Sequence, residues 1–271
     1  MSADVVLRCE RLFRFYDTPG GRVQAVRGVD LVVRAGVSTA IAGPSGSGKS
    51  TLLRMIAGLD RPTAGRIEFD GVDLWQLGER ARARARARSL THVFQRPDDN
   101  LYPHLTAEMQ LSRLVRPRHS AQRVVGEWLS KLGLERRAAH LPARMSGGER
   151  QRLAFARAAV AGHRLVVADE PTSQLDNESS DRVLDAIDVM KEDGITVLMA
   201  THDRRALERL DHIVALHDGA VASVSSGGDE YALLDAGGRL QLPPQLLGRF
   251  PERRVRVLWS DESDRIELER P

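Results

Sequence analysis

The stretch Gly43-Pro44-Ser45-Gly46-Ser47-Gly48-Lys49-Ser50, followed by Thr51, decides the reading of this chain. It satisfies the spacing G-x-x-x-x-G-K-[ST]. The residues before it, VSTAIA (37–42), form an apolar run of strand length. Those after it, TLLRMIAGL (51–59), carry helical apolar spacing and stop near Gly58, ahead of Pro62. Strand, glycine-rich loop and helix in that order predict a phosphate-binding loop. Glycines let the backbone wrap so that N–H groups converge on phosphate oxygens. The helix start adds the positive end of its dipole. On this reading Lys49 reaches the β- and γ-phosphates of a nucleoside triphosphate, and the Ser50 hydroxyl ligates Mg2+.

A second apolar run, Leu165-Val166-Val167-Ala168, ends in Asp169-Glu170. Charges at the carboxyl end of a buried strand cost desolvation unless they are paired or used. That end is where ligands bind in open α/β sheets. Asp169 is expected to hold Mg2+ through water, and Glu170 to act as general base on the attacking water. Between and beyond these runs, strands are expected at 5–10, 26–34, 66–69, 91–95, 195–200 and 212–216, and helices at about 178–192 and 203–210. A turn-rich DTPGGR (17–22) separates the first two strands. A mostly helical, Pro-punctuated region spans about 97–162. Buried strands alternating with helices predict an α/β fold with a parallel core sheet.

Composition agrees. The chain has 271 residues, 42% hydrophobic and 28% charged, enough for a sizeable core and too apolar for a disordered chain. No run approaches the roughly 18–20 apolar residues of a spanning helix, and no basic-then-apolar leader opens the sequence. A protein that crosses a membrane alone is therefore not expected. One cysteine, Cys9, leaves no internal disulfide or cysteine-rich zinc site. Net charge is +3, and only Lys49, Lys131 and Lys191 are lysines among 40 basic residues. The arginine bias reads as background composition, but one of the rare lysines stands where a phosphate loop needs it. Arg80 to Arg88 alternates Arg with Ala. Both are strong helix formers, so a solvated helix with arginines spread around its surface is expected, with no gathered phosphate-binding face.

Met145-Ser146-Gly147-Gly148-Glu149 resembles the signature sequence of ABC-type ATPases, usually LSGGQ. The resemblance extends in order through the chain. Gln95 resembles the Q-loop glutamine that touches Mg2+ and the attacking water. Ser173-Gln174-Leu175-Asp176 resembles the D-loop, with Asp176 at a dimer seam. His202 resembles the switch histidine at the γ-phosphate. Tyr16 resembles the A-loop aromatic that stacks on adenine, with Phe15 as the alternative. In this family each ATP lies between the phosphate loop of one protomer and the signature of the other, so Ser146, Gly147, Gly148 and Glu149 are expected on the nucleotide of a second copy. Glu149 in place of Gln puts a carboxylate near a phosphate site, which is expected to weaken nucleotide-driven closure.

The resemblance covers about residues 4–222. GGRVQAVRGVDL, GPSGSGKSTLLRMIAGLDRPTAGRI and ADEPTSQLD are most similar to the lipoprotein-releasing, macrolide-efflux and cell-division ATPases. It implies a parallel core sheet, a small antiparallel β subdomain and a helical signature subdomain. It also implies ATP and Mg2+ as ligands, separate transmembrane permease subunits as partners, and a peripheral place at the cytoplasmic face of the inner membrane, touching the membrane only through the partner. Nucleic acid is not expected as a partner.

Residues 1–223 are expected to form the nucleotide-binding domain, with SVSSGG (223–228) as a linker. Residues 224–271 are expected to form a β-rich accessory unit, read as a strand, a Gly-Gly turn at 237–238, a strand ending at Pro243-Pro244, a short helix and two terminal strands. Its D-x-x-G-R-x-x-L-P pattern resembles the swapped-hairpin fold of bacterial transition-state regulators. A soluble ABC-type ATPase with a regulatory or DNA-binding C-terminal domain is the alternative.

Overall fold

The N-terminal element is a long antiparallel hairpin, β1 (Val5–Thr18) on β2 (Gly21–Arg34). The expected turn at 17–22 shrinks to Pro19-Gly20, because Asp17 pairs with Arg22 and Thr18 with Gly21. Thr18 Oγ1 donates to the Gly21 carbonyl at 2.6 Å, and Gly21 supplies a φ of 111° for the tight closure. Cys9 lies on β1, 2% exposed, and burial pushes its thiol pKa far up. β3 (Ser38–Ala42) and α1 (Lys49–Ile56) flank the glycine loop. β4 (Ala64–Phe69) turns into β5 (Val72–Asp73) through Asp70-Gly71, both left-handed at φ 47° and 75°. These strands form a four-stranded antiparallel sheet in the order β2-β1-β4-β5.

The computed structural model describes residues 5–115 and 120–226, with strands at 229–232, 256–260 and 265–269. α2 (Glu79–Ser89) holds the Arg-Ala run and leads into β6 (Leu90–Val93). The helical region follows: α3 (Ala107–Ser112), α4 (Ala121–Lys131) and α5 (Gly147–Val160), with short 3-10 turns at Glu135–Arg137 and Pro142–Arg144 between the last two. Then come β7 (Leu165–Asp169), α6 (Asn177–Glu192), β8 (Thr196–Ala200), α7 (Arg204–Arg209), β9 (His212–His217), β10 (Ala220–Ser226) and β11 (Asp229–Ala232). The core sheet runs β11-β10-β9-β3-β8-β7-β6. The five strands from β9 to β6 are parallel, and β10 and β11 add antiparallel at the other edge.

Period-two alternation makes this sheet the wall between two cores. Val166 and Ala168 of β7 and Val197 and Met199 of β8 face α5, α6 and the helical region. Leu165, Val167, Leu198 and Ala200 face α1 and the antiparallel sheet. Both faces are covered, so the strands read as continuous apolar runs. Phe155 of α5 is fully buried in the first core, worth about 2–3 kcal/mol of transfer free energy.

Two expectations change. Residues 223–226 of the small-residue segment are not a free linker. Ser223, Val224, Ser225 and Ser226 continue β10, paired to β9 on one side and to β11 on the other. Small residues suit this edge as well as they suit a loop. The Arg-Ala run is a helix as expected, but its arginines are sorted. Arg82 and Arg86 turn inward, onto the Trp75 ring and the Gly58 carbonyl, while Arg80, Arg84 and Arg88 are exposed. At 3.6 residues per turn, alternation makes i, i+4 rows. Near the C-terminus, β12 (Arg256–Ser260) pairs antiparallel with β13 (Arg265–Glu269), as the two terminal strands expected there. The Gly-Gly turn at 237–238, the strand ending at 243–244 and the short helix lie outside the described residues.

Candidate nucleotide site

The glycine loop leaves β3 at the middle of the sheet, where the neighbours β8 and β9 both come later in the chain. Such a switch point opens a crevice beyond the carboxyl ends of the strands. Two glycines are required by contact as well as by dihedral angle. A Cβ on Gly43 (φ 148°) would lie 2.2 Å from the Leu216 carbonyl oxygen, and one on Gly48 (φ 97°) 2.3 Å from that of Ala25. Gly48 is also the N-cap of α1. It provides no side-chain acceptor, and the first turn carries no acidic residue. The free N–H groups of that turn suit an external anion.

Lys49 is 6% exposed and donates through Nζ to the carbonyls of Gly43 and Pro44 at 2.9 and 3.0 Å. Its ammonium thus stays within the loop that a phosphate chain would fill. Ser47 Oγ is buried without a hydrogen-bond partner. Ser50 Oγ donates to Asp169 Oδ1 at 3.1 Å, joining the α1 start to the end of β7 across the end of β8. Burial pushes the Asp169 carboxyl above the usual carboxylate range. The neighbouring Glu170 charge adds to this, and the Ser50 hydrogen bond and Lys49 oppose it. A half-buried carboxylate under that pressure, beside a hydroxyl and phosphate-binding N–H groups, fits a small hard cation. Mg2+ takes few protein oxygens and fills its shell with phosphate and water.

Glu170 has a left-handed φ of 43°, a strain of order 1 kcal/mol for a residue with a Cβ. The turn is held by the Glu170 N–H to Ala200 O at 3.0 Å and by the Ser173 N–H and Oγ to Glu170 O at 3.2 and 3.0 Å. His202 Nδ1 lies 3.2 Å from Glu170 Oε1. The carboxylate only accepts, so Nδ1 carries the proton of this contact. Gln95, two residues past β6 rather than ending it, donates from Nε2 to Ser173 Oγ at 3.1 Å. Gln95, Glu170 and His202 therefore meet at the carboxyl ends of three adjacent strands, with Ser173 tying Gln95 to Glu170 and the Glu170 side chain reaching His202. The D-loop resemblance included Ser173 but gave it no such part.

Tyr16 Oη donates to Asp60 Oδ2 at 3.2 Å, and the Arg14 guanidinium sits 4.5 Å from its ring centroid. Asp60 also takes two hydrogen bonds from Arg54 in the last turn of α1, at 2.8 and 3.2 Å. The ring of Phe15, the alternative, lies under Arg22. Sequence reading missed Asp60, since nothing in a loop aspartate announces a tyrosine 44 positions earlier.

The signature residues form a second cluster. Ser146 caps α5: its Oγ accepts from the Glu149 N–H at 3.2 Å, and Glu149 Oε2 accepts from the Ser146 N–H at 2.8 Å. Glu149 Oε1 accepts from Arg137 Nε at 2.7 Å. Burial raises this carboxyl, but Arg137 and the Ser146 N–H outweigh it and hold its pKa low. Both oxygens are engaged within the chain, so Glu149 stands as a helix cap and not as a free charge beside a phosphate. Asp176 caps α6, accepting from Ser179 N–H and Oγ at 2.8 and 3.0 Å. The two caps are neighbours: a Cβ on Gly148 would lie 2.9 Å from Ser179 Cβ. None of the hydrogen bonds of Ser146, Glu149 or Asp176 reaches residues 43–51. Among the described residues no hydrogen bond joins Ser146, Glu149 or Asp176 to Ser50, Asp169, Glu170, Gln95 or His202.

Among the described residues no helix is long and apolar enough to cross a membrane. The family model described as ABC transporter matches residues 26–173. The lipoprotein-releasing system ATP-binding protein LolD of Legionella pneumophila (strain Paris) is 39% identical over 226 residues, which cover 80% of this chain and 97% of that one. LolD of Ruegeria pomeroyi is 43% identical over 218 residues, covering 77% and 92%. Among solved structures, an ATP-binding cassette captured as a dimer in a post-hydrolysis state with ADP and Pi superposes with a TM-score of 0.72 at 32% identity, covering 81% and 98%. The cbiO1 protein of Clostridium perfringens, part of an ABC transporter complex, superposes with a TM-score of 0.73 at 28% identity, covering 82% and 89%. Fold, site geometry and these likenesses agree: the chain belongs to the ABC transporter family, as an ATPase that works on ATP with Mg2+.

Proposed function

We propose that the chain is the ATPase of a lipoprotein-releasing type of ABC complex, bound peripherally at the cytoplasmic face of the membrane through separate permease subunits. Two copies close on two ATP molecules, and closure moves the membrane partners. The observation that carries the reading is the meeting of Ser50, Asp169, Glu170 and His202 at one crevice; the signature cap serves the nucleotide of a second copy.

In this reading the N–H groups of Gly46 to Ser50 and the Lys49 ammonium bind the phosphate chain, joined by the Thr51 N–H. Tyr16 carries the adenine. Ser50 and Asp169 hold Mg2+, with Gln95 at the edge of its shell. The metal supplies charge neutralisation at the β- and γ-phosphates. The Glu170 carboxylate accepts a hydrogen bond from the attacking water and aligns it. His202, which rests against Glu170 before nucleotide binds, turns its one N–H from that carboxylate to the γ-phosphate. Ser146, Gly147 and Gly148 offer a hydroxyl and helix-start N–H groups to the γ-phosphate on the other copy, Glu149 keeps that helix start formed, and Asp176 lies at the seam.

Glu170→Gln tests this. The variant should bind Mg-ATP, accumulate as an ATP-loaded dimer in size-exclusion chromatography and lose turnover by at least about a hundredfold. Turnover at the wild-type rate would remove Glu170 from the chemistry.

A further inference from the structure

Arg80, Arg84 and Arg88 take no part in the nucleotide site. They stand four residues apart on α2, offset by about 40° around the helix and ~6 Å along it. All three are exposed, as are Ala81, Ala83 and Ala87 between them. None of the three arginines has a hydrogen bond, ion pair or ring contact among the described residues. The inner pair does different work. Arg82 lies 4.4 Å from the Trp75 ring centroid and donates to the Leu77 carbonyl, and Arg86 donates to the Gly58 carbonyl. No residue of α2 is fully buried. Arg82, Arg86 and the half-buried Ala85 fasten the helix to the domain, and three arginines are left on the outside as a cationic row that winds slowly around it.

The exposed residues between the three arginines are alanines, so whatever the row meets is recognised chiefly by charge. Under the placement proposed above, two surfaces are at hand. Cytoplasmic loops of membrane proteins carry an excess of Lys and Arg, which makes them a poor match for three more cations. The cytoplasmic leaflet carries anionic phospholipid, and each arginine at such a surface strengthens attachment severalfold. Guanidinium groups also pair with phosphate in two-pronged fashion. We propose that α2 lays the Arg80–Arg84–Arg88 row on anionic phospholipid headgroups, giving the ATPase a direct hold on the membrane in addition to its partner, where the family resemblance implied contact through the partner alone. This rests on the peripheral placement under Proposed function.

The test is flotation of the full chain with vesicles of phosphatidylcholine, alone or mixed with phosphatidylglycerol, at low and high salt. Wild type should float with the mixed vesicles and be released by salt. Combined Arg80→Gln, Arg84→Gln and Arg88→Gln should lower partitioning by roughly a hundredfold, and the three Arg→Lys changes should retain it. Equal binding by the Gln variant, or no preference of wild type for phosphatidylglycerol, would overturn the proposal. ATP turnover in solution should stay within about twofold of wild type in both variants, as for surface changes remote from the site. It shows that the variants are folded and reads the nucleotide site separately, so the two readings fail on different measurements.

Discussion

Glu149 offers the sharpest test of how the signature helix is built. Its carboxylate closes a capping box with Ser146 and takes a 2.7 Å hydrogen bond from Arg137. Removing a cap costs about 1 kcal/mol. The Arg137 pair is partly exposed, at 40% and 17% for the two side chains, so it adds about 0.5 kcal/mol after solvent screening. Glu149→Ala should therefore lose about 1.5 kcal/mol and melt roughly 3–6 °C lower for a domain of this size. Glu149→Gln keeps an acceptor for the Ser146 N–H and should lose less than half as much. The folded pKa lies below the unfolded one. The ionic part of the stabilisation is thus complete above the unfolded glutamate value of about 4.3 and fades as pH falls through the folded value. Calorimetry without nucleotide, at pH 7.5 and near pH 4, should show the gap between wild type and Ala narrowing at the lower pH. Turnover of the Gln variant should stay within about twofold of wild type, since the carboxylate it replaces is engaged elsewhere. A melting point unchanged to about 1 °C in Glu149→Ala would refute the capping argument. A tenfold gain of activity in Glu149→Gln would mean that the charge does act on nucleotide-driven closure.

Three further outcomes follow from the same geometry. Burial, with the charges of Arg54 and Arg86, lowers His92 to about 4, and both its ring nitrogens lack partners. The unfolded chain binds that proton near pH 6.5, so stability should fall by about 1–2 kcal/mol between pH 7 and 5. His92→Phe should shrink the drop, and an unchanged pH profile of melting would exclude His92 as its source. Asp60→Asn should raise the KM for ATP severalfold at nearly constant kcat, by loosening Tyr16; Tyr16→Phe should do the same, and unaltered KM in both would detach this pair from nucleotide binding. Gly48→Ala should cost on the order of 3 kcal/mol or abolish ATP binding, because φ 97° and the Ala25 carbonyl both oppose a Cβ. A wild-type Kd for ATP in this variant would show that the loop tolerates the distortion.

The parts legible in the sequence were those written in short range. Glycine spacing, the Lys49-Ser50 pair and the apolar run into Asp169-Glu170 each lie within eight residues or so, and strand alternation is local by nature. What escaped was set by partners far along the chain or by the geometry of the helix itself. Asp60 joins Tyr16 to Arg54 only once the hairpin lies against α1. Ser173 links Gln95 and Glu170 only because β6 and β7 are neighbours. Two signals were present and unread. Ser146-x-x-Glu149 before a helix is the capping-box spacing, and Arg at every second position in a helix falls into i, i+4 rows. The strand at Ser223–Ser226 was hidden because serine and glycine describe a loop as readily as an edge strand whose backbone does the pairing.

Cys9 has a practical bearing. The thiol is buried between strands of the antiparallel sheet, with its ionisation suppressed by burial. The thiolate is the reactive form, so maleimides and spin labels should pass it by in the folded protein. A cysteine placed at the exposed Gln174 would be the sole target for a probe. Distances across the two-copy seam can then be followed through the ATP cycle without first stripping the chain of its native sulfur.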